Sequence, residues 1–198
     1  MTTDLTIEGD PARLSAARAL VSLMTQLRMG FAFVGDVARS AWLGAPLTKG
    51  GAVDLLALIP ADRAGQIPMM ASNRGFRVDP EEAKKTEELD LIPMWWVGPD
   101  EEVRVHVLFA TNALYGTMVR DAVGARLVAP PPNEASEPAP VEARVVGAED
   151  LALLLLMSEA EEAKSDLALL RRIASASVDS ERLNRKLVSL GLSSRVLR

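Results

Sequence analysis

The stretch that decides the fold runs from residue 31 to residue 59 and reads FAFVGDVARSAWLGAPLTKGGAVDLLALI. It opens with a short apolar segment, typical of a buried strand, which Gly35 ends with a turn. The next segment, 37–43, has the apolar spacing of a helix. The apolar run 53–59 is interrupted only by Asp54, which is typical of a central strand covered on both faces. The order strand, turn, helix, loop and strand predicts an α/β sheet domain.

The sequence on either side extends this pattern. Asp10 followed by Pro11 is a good helix start, because a capping residue precedes a proline in the first turn. Apolar residues then continue at helical spacing as far as Gly30. Further strands are predicted at 76–78, 91–97, 103–109, 125–129 and 141–146, and further helices at 61–73, 79–88 and 113–122. We therefore predict an α/β (α+β) fold with a mixed β-sheet flanked by helices.

The character of the sequence changes near residue 147. The preceding segment, 130–140, is rich in proline and predicts a loop or linker. Helical patterns follow at 149–162, 165–175 and 179–190. We predict an α/β domain over residues 1–146 and a C-terminal helical subdomain over residues 147–198 that packs on it.

Composition indicates a globular chain. The 198 residues are 48% apolar and 25% charged, and none is cysteine, which excludes disulfides and thiolate metal sites. The absence of cysteine fits a reducing compartment, so we expect a cytoplasmic protein. Residues 1–10 lack the basic and apolar regions of a signal peptide. The longest apolar runs, 53–60 and 151–157, are too short to span a bilayer, so no membrane association is expected.

Charge is distributed unevenly. The net charge is −5, but residues 171–198 carry seven basic and two acidic side chains. Two interpretations remain open for this basic stretch. It is either a solvated helix face or a surface that contacts RNA, a nucleotide or an acidic protein.

Three segments, taken in their order along the chain, carry information about the fold family. Residues 33–44 combine a strand end, a glycine turn and a helix, and residues 48–56 place a Thr-Lys loop before an acid-bearing strand. Residues 147–153, which read GAEDLAL, open the helical half. Together they resemble the nucleotidyltransferase superfamily, in particular the toxin-type members of abortive-infection systems. The resemblance covers residues 20–173 and implies a nucleotidyltransferase-like fold.

The resemblance also implies a site. In the family, two metal ions bridge a nucleoside triphosphate and the attacking hydroxyl, held by carboxylates beside the glycine turn. Gly35, Asp36 and Lys49 then match nucleotide-binding positions, since a turn and a helix N-terminus bind phosphate through backbone N–H groups. Asp54 matches a catalytic acid, with Asp36 beside it. The implied cofactor is Mg²⁺ or Mn²⁺ with a nucleoside triphosphate.

The sequence departs from the family at the residues that carry chemistry. Ala52 occupies the position of the first acid, and His106 occupies the position of the third. One carboxylate binds Mg²⁺ weakly, and an imidazole prefers softer metals. Asp36 places a negative charge where phosphate would approach. We therefore expect that metal-dependent nucleotidyl transfer is lost and that no cofactor is bound.

Alternatives remain open for the same residues. Asp36, Asp54 and His106 could converge on a rebuilt site for Mn²⁺ or Zn²⁺, with Asp54 and His106 as the metal ligands. Against this, His106 suits a half-exposed strand and Asp36 suits a helix N-cap. Asp54 in an apolar strand requires a partner, because an isolated buried carboxylate is costly. Lys49 and Arg39 are the candidates.

Three functional hypotheses follow. The first is a non-catalytic nucleotide-binding or regulatory module, a pseudoenzyme. The second is an active transferase of the toxin–antitoxin type that moves a nucleoside monophosphate to an RNA or protein hydroxyl. The third is a plain protein-interaction domain. The Walker loop, the nucleophile elbow, the zinc-protease motifs and the dinucleotide fingerprint are missing from the sequence, so the resemblance is the main guide to function.

The adjacent residues Trp95 and Trp96 allow two interpretations. Successive side chains of a strand point to opposite faces, so one ring is expected in the core and one outside. Core packing or a subunit interface is favoured over stacking on a base.

Overall fold

The sheet organises the molecule. The computed structural model describes residues 5–79, 90–128, 140–157, 168 and 179–189. In this part of the chain, the strands form one mixed sheet in the order β1-β7-β8-β2-β3-β6-β5-β4. The strands are β1 (Leu5–Ile7), β2 (Phe31–Phe33), β3 (Val53–Ala57), β4 (Phe76–Arg77), β5 (Leu91–Val97), β6 (Glu102–Phe109), β7 (Val123–Leu127) and β8 (Val141–Val145).

The centre of the sheet is where the site is formed. β3 runs antiparallel to β2 and parallel to β6, and β5 forms an antiparallel hairpin with β6. Across the β3–β6 pair, Asp54 lies directly opposite His106. Because side chains alternate along a strand, both point to the same face of the sheet, away from the buried Val53 and Val105.

The helices flank this sheet. They are α1 (Pro11–Gln26), α2 (Gly35–Leu43), α3 (Gln66–Ser72), α4 (Ala113–Arg120), α5 (Ala148–Met157) and α6 (Ser180–Ser189), with a 3₁₀ turn at Ala61–Arg63. Asp10 caps α1 as predicted, accepting a 2.9 Å hydrogen bond from the Arg13 amide. Gly44 ends α2 in the left-handed conformation that favours glycine. Within the described ranges, no helix is long and apolar enough to cross a membrane.

The core lies between the helices and the sheet. Leu20, Leu23 and Met24 of α1 are fully buried, as are Leu55 of β3 and Val107 of β6. Each such side chain contributes roughly 1.5–3 kcal/mol relative to exposure. The core therefore anchors the central strands, and the alternate positions of these strands carry Asp54 and His106 on the other face.

The C-terminal helices join the apolar core and also make polar contacts. The Trp42 indole N–H of α2 donates to the Val146 carbonyl at 2.9 Å, just before α5. Lys186 of α6 forms an ion pair with the buried carboxylate of Asp150 on α5. Burial raises the pKa of Asp150, and the bond from Lys186 opposes that rise. The division into two domains at residue 147 stays a prediction.

Most predicted elements are present, with local differences. β1 was not predicted, and β3 ends at Ala57 rather than at residue 59. The helix predicted at 61–73 is split into the 3₁₀ turn and α3, whose first turn holds Pro68 because amides there have no partner within the helix. The loop predicted at 130–140, the helices predicted at 79–88 and 165–175, and the last residues of the helix predicted at 149–162 lie outside the described residues, apart from positions 79, 140 and 168.

Candidate functional site

A glycine turn joins β2 to α2. Gly35 has a φ of +55°, a region that favours glycine, and a Cβ at this position would lie 2.8 Å from Oδ2 of Asp54. The Val34 amide donates to the Asp54 carbonyl at 3.1 Å, which holds the turn against β3. Gly35 is therefore required both for its conformation and for the close approach of Asp54. The turn and the predicted acid form one unit.

Asp54 and His106 form a hydrogen-bonded pair. Nδ1 of His106 lies 2.7 Å from Oδ1 of Asp54, with the side chains 25% and 30% exposed. Because an ionised carboxylate only accepts, Nδ1 is the donor, and the lone pair of a neutral ring lies on Nε2. Within the described part of the chain, Asp54 is the hydrogen-bonding partner of His106. Asp54 is thus paired with His106 and not with Lys49 or Arg39.

Asp36 lies in the first turn of α2, where two arginines hold its carboxylate. Arg13 donates to Oδ2 at 3.0 Å and Arg39 donates to Oδ1 at 2.9 Å. The expected N-cap role of Asp36 is wrong, because α2 begins at Gly35 and its N-cap is Val34, which makes no side-chain capping bond. Two guanidinium groups thus bind this one carboxylate. The repulsion of phosphate expected from Asp36 is therefore compensated.

Arg13 is the residue that sequence reasoning missed. Its side chain is 1% exposed, and besides Asp36 it binds the carbonyl of Thr48 at 2.9 Å and the carbonyl of Ala52. A Cβ on Gly51 would lie 2.6 Å from Nη1 of Arg13, so glycine leaves room for the guanidinium. A fixed cation thus stands at the backbone of position 52, where the family resemblance expects the first acid.

Lys49 is directed to another part of the fold. Its ammonium group lies 2.7 Å from Glu101 in the turn between β5 and β6. The hydrogen bond to Glu101, followed by the charge of Glu101, raises the pKa of Lys49. The structure therefore brings Gly35, Asp54 and His106 together and gives Lys49 a different partner. Its predicted contact with phosphate stays a prediction.

The donor set does not suit a two-metal centre. The described residues contain no group of three histidine, aspartate or glutamate side chains placed to hold a metal ion. Asp54 and His106 offer one carboxylate and one imidazole, and Nδ1 of the ring is already bonded to that carboxylate. Two Mg²⁺ ions require several oxygen ligands in a near-octahedral arrangement. These residues therefore do not fit the metal chemistry that the family resemblance implies.

The two tryptophans lie on opposite faces of β5. Trp95 pairs with Arg104 across the hairpin, and the Arg104 guanidinium lies 5.7 Å from the centre of the Trp95 ring. This pair shares a face with His106, two residues further along β6. Trp96 is half-buried on the other face and packs against the core. The predicted separation of the rings is confirmed, and Trp96 is the one that packs inward.

The basic C-terminal stretch is partly used within the chain. Arg182 of α6 bonds to Asp121 at the end of α4, and Lys186 bonds to Asp150. The Asp179 carboxylate accepts the amides of Glu181 and Arg182, and the bond from the Arg182 amide is the main cause of its lowered pKa. Two of the basic charges are thus committed to holding the helix. RNA contact through this stretch stays a prediction.

Comparison with known protein structures identifies the type of fold. No protein-family model and no curated protein matches the sequence. The structure is similar to an antigenic nucleotidyltransferase-like protein from Paracoccidioides brasiliensis, with 11% identity, a TM-score of 0.53, and coverage of 92% of this chain and 88% of that chain. It is also similar to ANT(2″)-Ia in complex with adenylyl-2″-tobramycin, with 17% identity, a TM-score of 0.50, and coverage of 89% and 95%. The chain therefore has a nucleotidyltransferase-like α/β fold.

Proposed function

We propose that this protein is a nucleotide-binding module that holds a nucleoside triphosphate at the Gly35 turn and does not carry out two-metal nucleotidyl transfer. The observation that carries the proposal is the pairing of Asp54 with His106 beneath that turn. The pairing gives the one matching acid a protein partner in place of a metal ion. One structural neighbour holds an adenylyl compound, adenylyl-2″-tobramycin, and the proposal extends recognition of an adenylyl group to this chain.

Phosphate binding is supported by the charge at the start of α2. Backbone N–H groups at a helix N-terminus attract anions, and glycine permits close approach of a phosphate. Arg13 and Arg39 neutralise the charge of Asp36 there. Arg39 is partly exposed at the start of α2, whereas Arg13 is buried and fixes the backbone. A permanent guanidinium charge replaces part of the positive charge that a metal would supply.

Loss of transfer is supported by the same residues. Transfer by two metals needs acids on adjacent strands, and positions 52 and 106 hold Ala52 and His106 instead. With Nδ1 bonded to Asp54, His106 is oriented by the carboxylate and is not free to bind a metal through that atom. The remaining carboxylate oxygen is a single hard ligand. This set binds Mg²⁺ weakly.

The test is a thermal shift with each of the four common nucleoside triphosphates, with Mg²⁺, with Mn²⁺ and with EDTA. A ligand at a hundred times its dissociation constant stabilises the fold by about 2.7 kcal/mol, which raises the Tm of a chain of this size by roughly 5–10 °C. We expect at least one nucleotide to give a shift of the same size in EDTA and in Mg²⁺. We expect Arg39→Gln to weaken it about fivefold. Arg120→Gln, a change at an exposed arginine on α4, serves as the matched control.

Two outcomes contradict the proposal. A shift that requires Mg²⁺ or Mn²⁺, together with label transfer from the α-phosphate to RNA or protein, would establish the active transferase. The absence of a shift with every nucleotide and metal would leave the interaction domain, and pull-down experiments with protein partners would follow.

A further inference from the structure

A groove lies along α1, separate from the Gly35 turn. We call it the α1 groove: it is bordered by α1, by the turn after α3 and by the hairpin of β5 and β6, and its volume is about 940 Å³. Sites for small molecules commonly occupy 300–1,000 Å³. Neither Asp54 nor His106 lines it. It opens on the face of the sheet opposite the Asp54–His106 pair, because it is lined by Trp96, which alternates with Trp95.

One wall is an aromatic ring held in place by glycines. Trp96 is half-buried, and a Cβ on Gly98 would lie 2.4 Å from its ring. Gly75, with a φ of +79°, lies beside the Trp96 indole nitrogen and accepts the Val97 amide at 2.8 Å through its carbonyl. Short side chains of α1 (Ala12, Ser15, Ala19 and Ser22) also line the groove. A large ring and small residues in one groove suit a planar group.

The Arg74 guanidinium lies at the end of the α1 groove where α1 ends. It follows α3 and donates from Nε to Gln26 Oε1 at 2.8 Å, with its two terminal nitrogens bonded to Gln26 and to Ser22. Both partners are neutral, and among the described residues Arg74 has no carboxylate partner. A guanidinium has five N–H donors, so donors remain for a ligand. The group is oriented by α1 while its charge is uncompensated.

Other charged side chains also line the groove. Asp10 is the N-cap of α1, about 24 Å along the helix from Gln26 at 1.5 Å per residue. Lys49 and Glu101 pair with each other by the hairpin turn. Arg18, near the middle of α1, also lines the groove, and Asp100 lies in the hairpin turn. The Arg74 end therefore favours an anion, and the Trp96 indole N–H, which has no partner among the described residues, is a second donor there.

We propose that the α1 groove binds a small planar aromatic anion, with its ring against Trp96 and its carboxylate or phosphate on Arg74. Arg74 is a preorganised anion receptor, since Ser22 and Gln26 already fix its plane. Binding at this groove does not depend on a nucleotide at the Gly35 turn. It would give the protein a second ligand class.

The test uses 1-naphthoate as the probe and 1-naphthylmethylammonium as the ring-matched cation. The chain has three tryptophans, so its ¹⁵N spectrum has three indole N–H signals, assigned with Trp95→Phe and Trp96→Phe. We expect saturable binding of naphthoate that moves the Trp96 signal and leaves the Trp42 and Trp95 signals in place. We expect the ammonium compound to bind wild type at least about tenfold more weakly.

Variants separate the groove from general surface charge. Arg74→Gln is expected to weaken naphthoate at least about tenfold, since it removes a charged donor. Arg77→Gln, a change at an exposed arginine on β4, is expected to stay within about twofold. Far-UV circular dichroism confirms that each variant is folded. Absence of saturable naphthoate binding, equal binding of both probes, or movement of the Trp95 signal would overturn the proposal, and these results are independent of nucleotide binding at Gly35.

Discussion

The buried guanidinium of Arg13 gives the sharpest test of how the site is held together. Arg13→Met keeps an unbranched apolar stem but removes the guanidinium and every donor. Three acceptors then lose a charged partner: the carbonyls of Thr48 and Ala52 and the carboxylate of Asp36. Arg13 is 1% exposed, so water does not replace these bonds without local opening.

The size of the effect follows from burial. Leaving a buried carbonyl without its partner costs about 1–3 kcal/mol, and two carbonyls are affected. Asp36 is 38% exposed and keeps Arg39, so its loss is discounted to below about 1 kcal/mol. Removal of the desolvated guanidinium offsets part of this, because taking a charge out of water is unfavourable. We expect a net loss of about 2–4 kcal/mol in the free energy of unfolding.

Urea unfolding followed by tryptophan fluorescence measures this loss, with Arg77→Met as the control. The Arg77–Glu102 pair joins side chains that are 52% and 45% exposed, so its removal should cost less than about 1 kcal/mol. In thermal unfolding, Arg13→Met should lower the Tm by roughly 5–15 °C for a chain of this size. A loss for Arg13→Met that is no larger than the loss for Arg77→Met would refute the argument that Arg13 fixes the loop at 48–52.

Three further predictions concern the turn, the missing acids and pH. In urea unfolding, Gly35→Ala should destabilise the fold at least about 1 kcal/mol more than Gly44→Ala. Both glycines have a positive φ, but a Cβ at Gly35 would meet Asp54, whereas a Cβ at Gly44 meets nothing within 4 Å. Equal losses would contradict the close approach of Gly35 and Asp54. The double change Ala52→Asp and His106→Asp should create a Mg²⁺-dependent stabilisation by ATP of about 1 kcal/mol in a thermal shift, and no gain would contradict the assigned positions of the acids. Because burial raises the pKa of Asp150, its contribution to stability is present below pH 3.8 and is lost as pH rises through the higher pKa of the folded state. Asp150→Asn should therefore flatten this decline in stability, measured by urea unfolding at a series of pH values.

The sheet could be predicted in outline because its strands carry their own signals. The alternation at 103–109 and the apolar run at 53–59 correspond to β6 and β3, which lie side by side. The pairing of Asp54 with His106 depends on their register, which no local pattern determines. β1 could not be predicted, since three residues that pair with β7 are too few for a periodicity.

Arg13 shows why the site could be predicted only in part. The sequence contains one signal, because Arg13 stands on the apolar face of α1 with Ala17, Leu20 and Met24 at helical spacing. An arginine on such a face must find acceptors when the helix packs. Its acceptors are 23 to 39 residues away along the chain, and their identity depends on the path of the loop before β3.

Lys49 is a residue whose type, but not whose contact, could be predicted. The family resemblance places a basic residue near phosphate, yet the partner of Lys49 is Glu101, which the hairpin of β5 and β6 brings close. An exposed lysine takes whichever acid the fold delivers, and that acid was 52 residues away. Local sequence identified the kind of residue but not its contact.

The measurement that tests the central claim most directly is the affinity of ATP for wild type and for Asp54→Asn, in EDTA and in Mg²⁺, by isothermal titration calorimetry. Asp62→Asn, a change at an exposed acid, controls for net charge. If the nucleotide binds without a metal, removing the charge of Asp54 relieves repulsion, and Asp54→Asn should bind ATP about two- to tenfold more tightly in EDTA. If wild type binds only with Mg²⁺ and Asp54→Asn abolishes that binding, then Asp54 is a metal ligand and the account is contradicted.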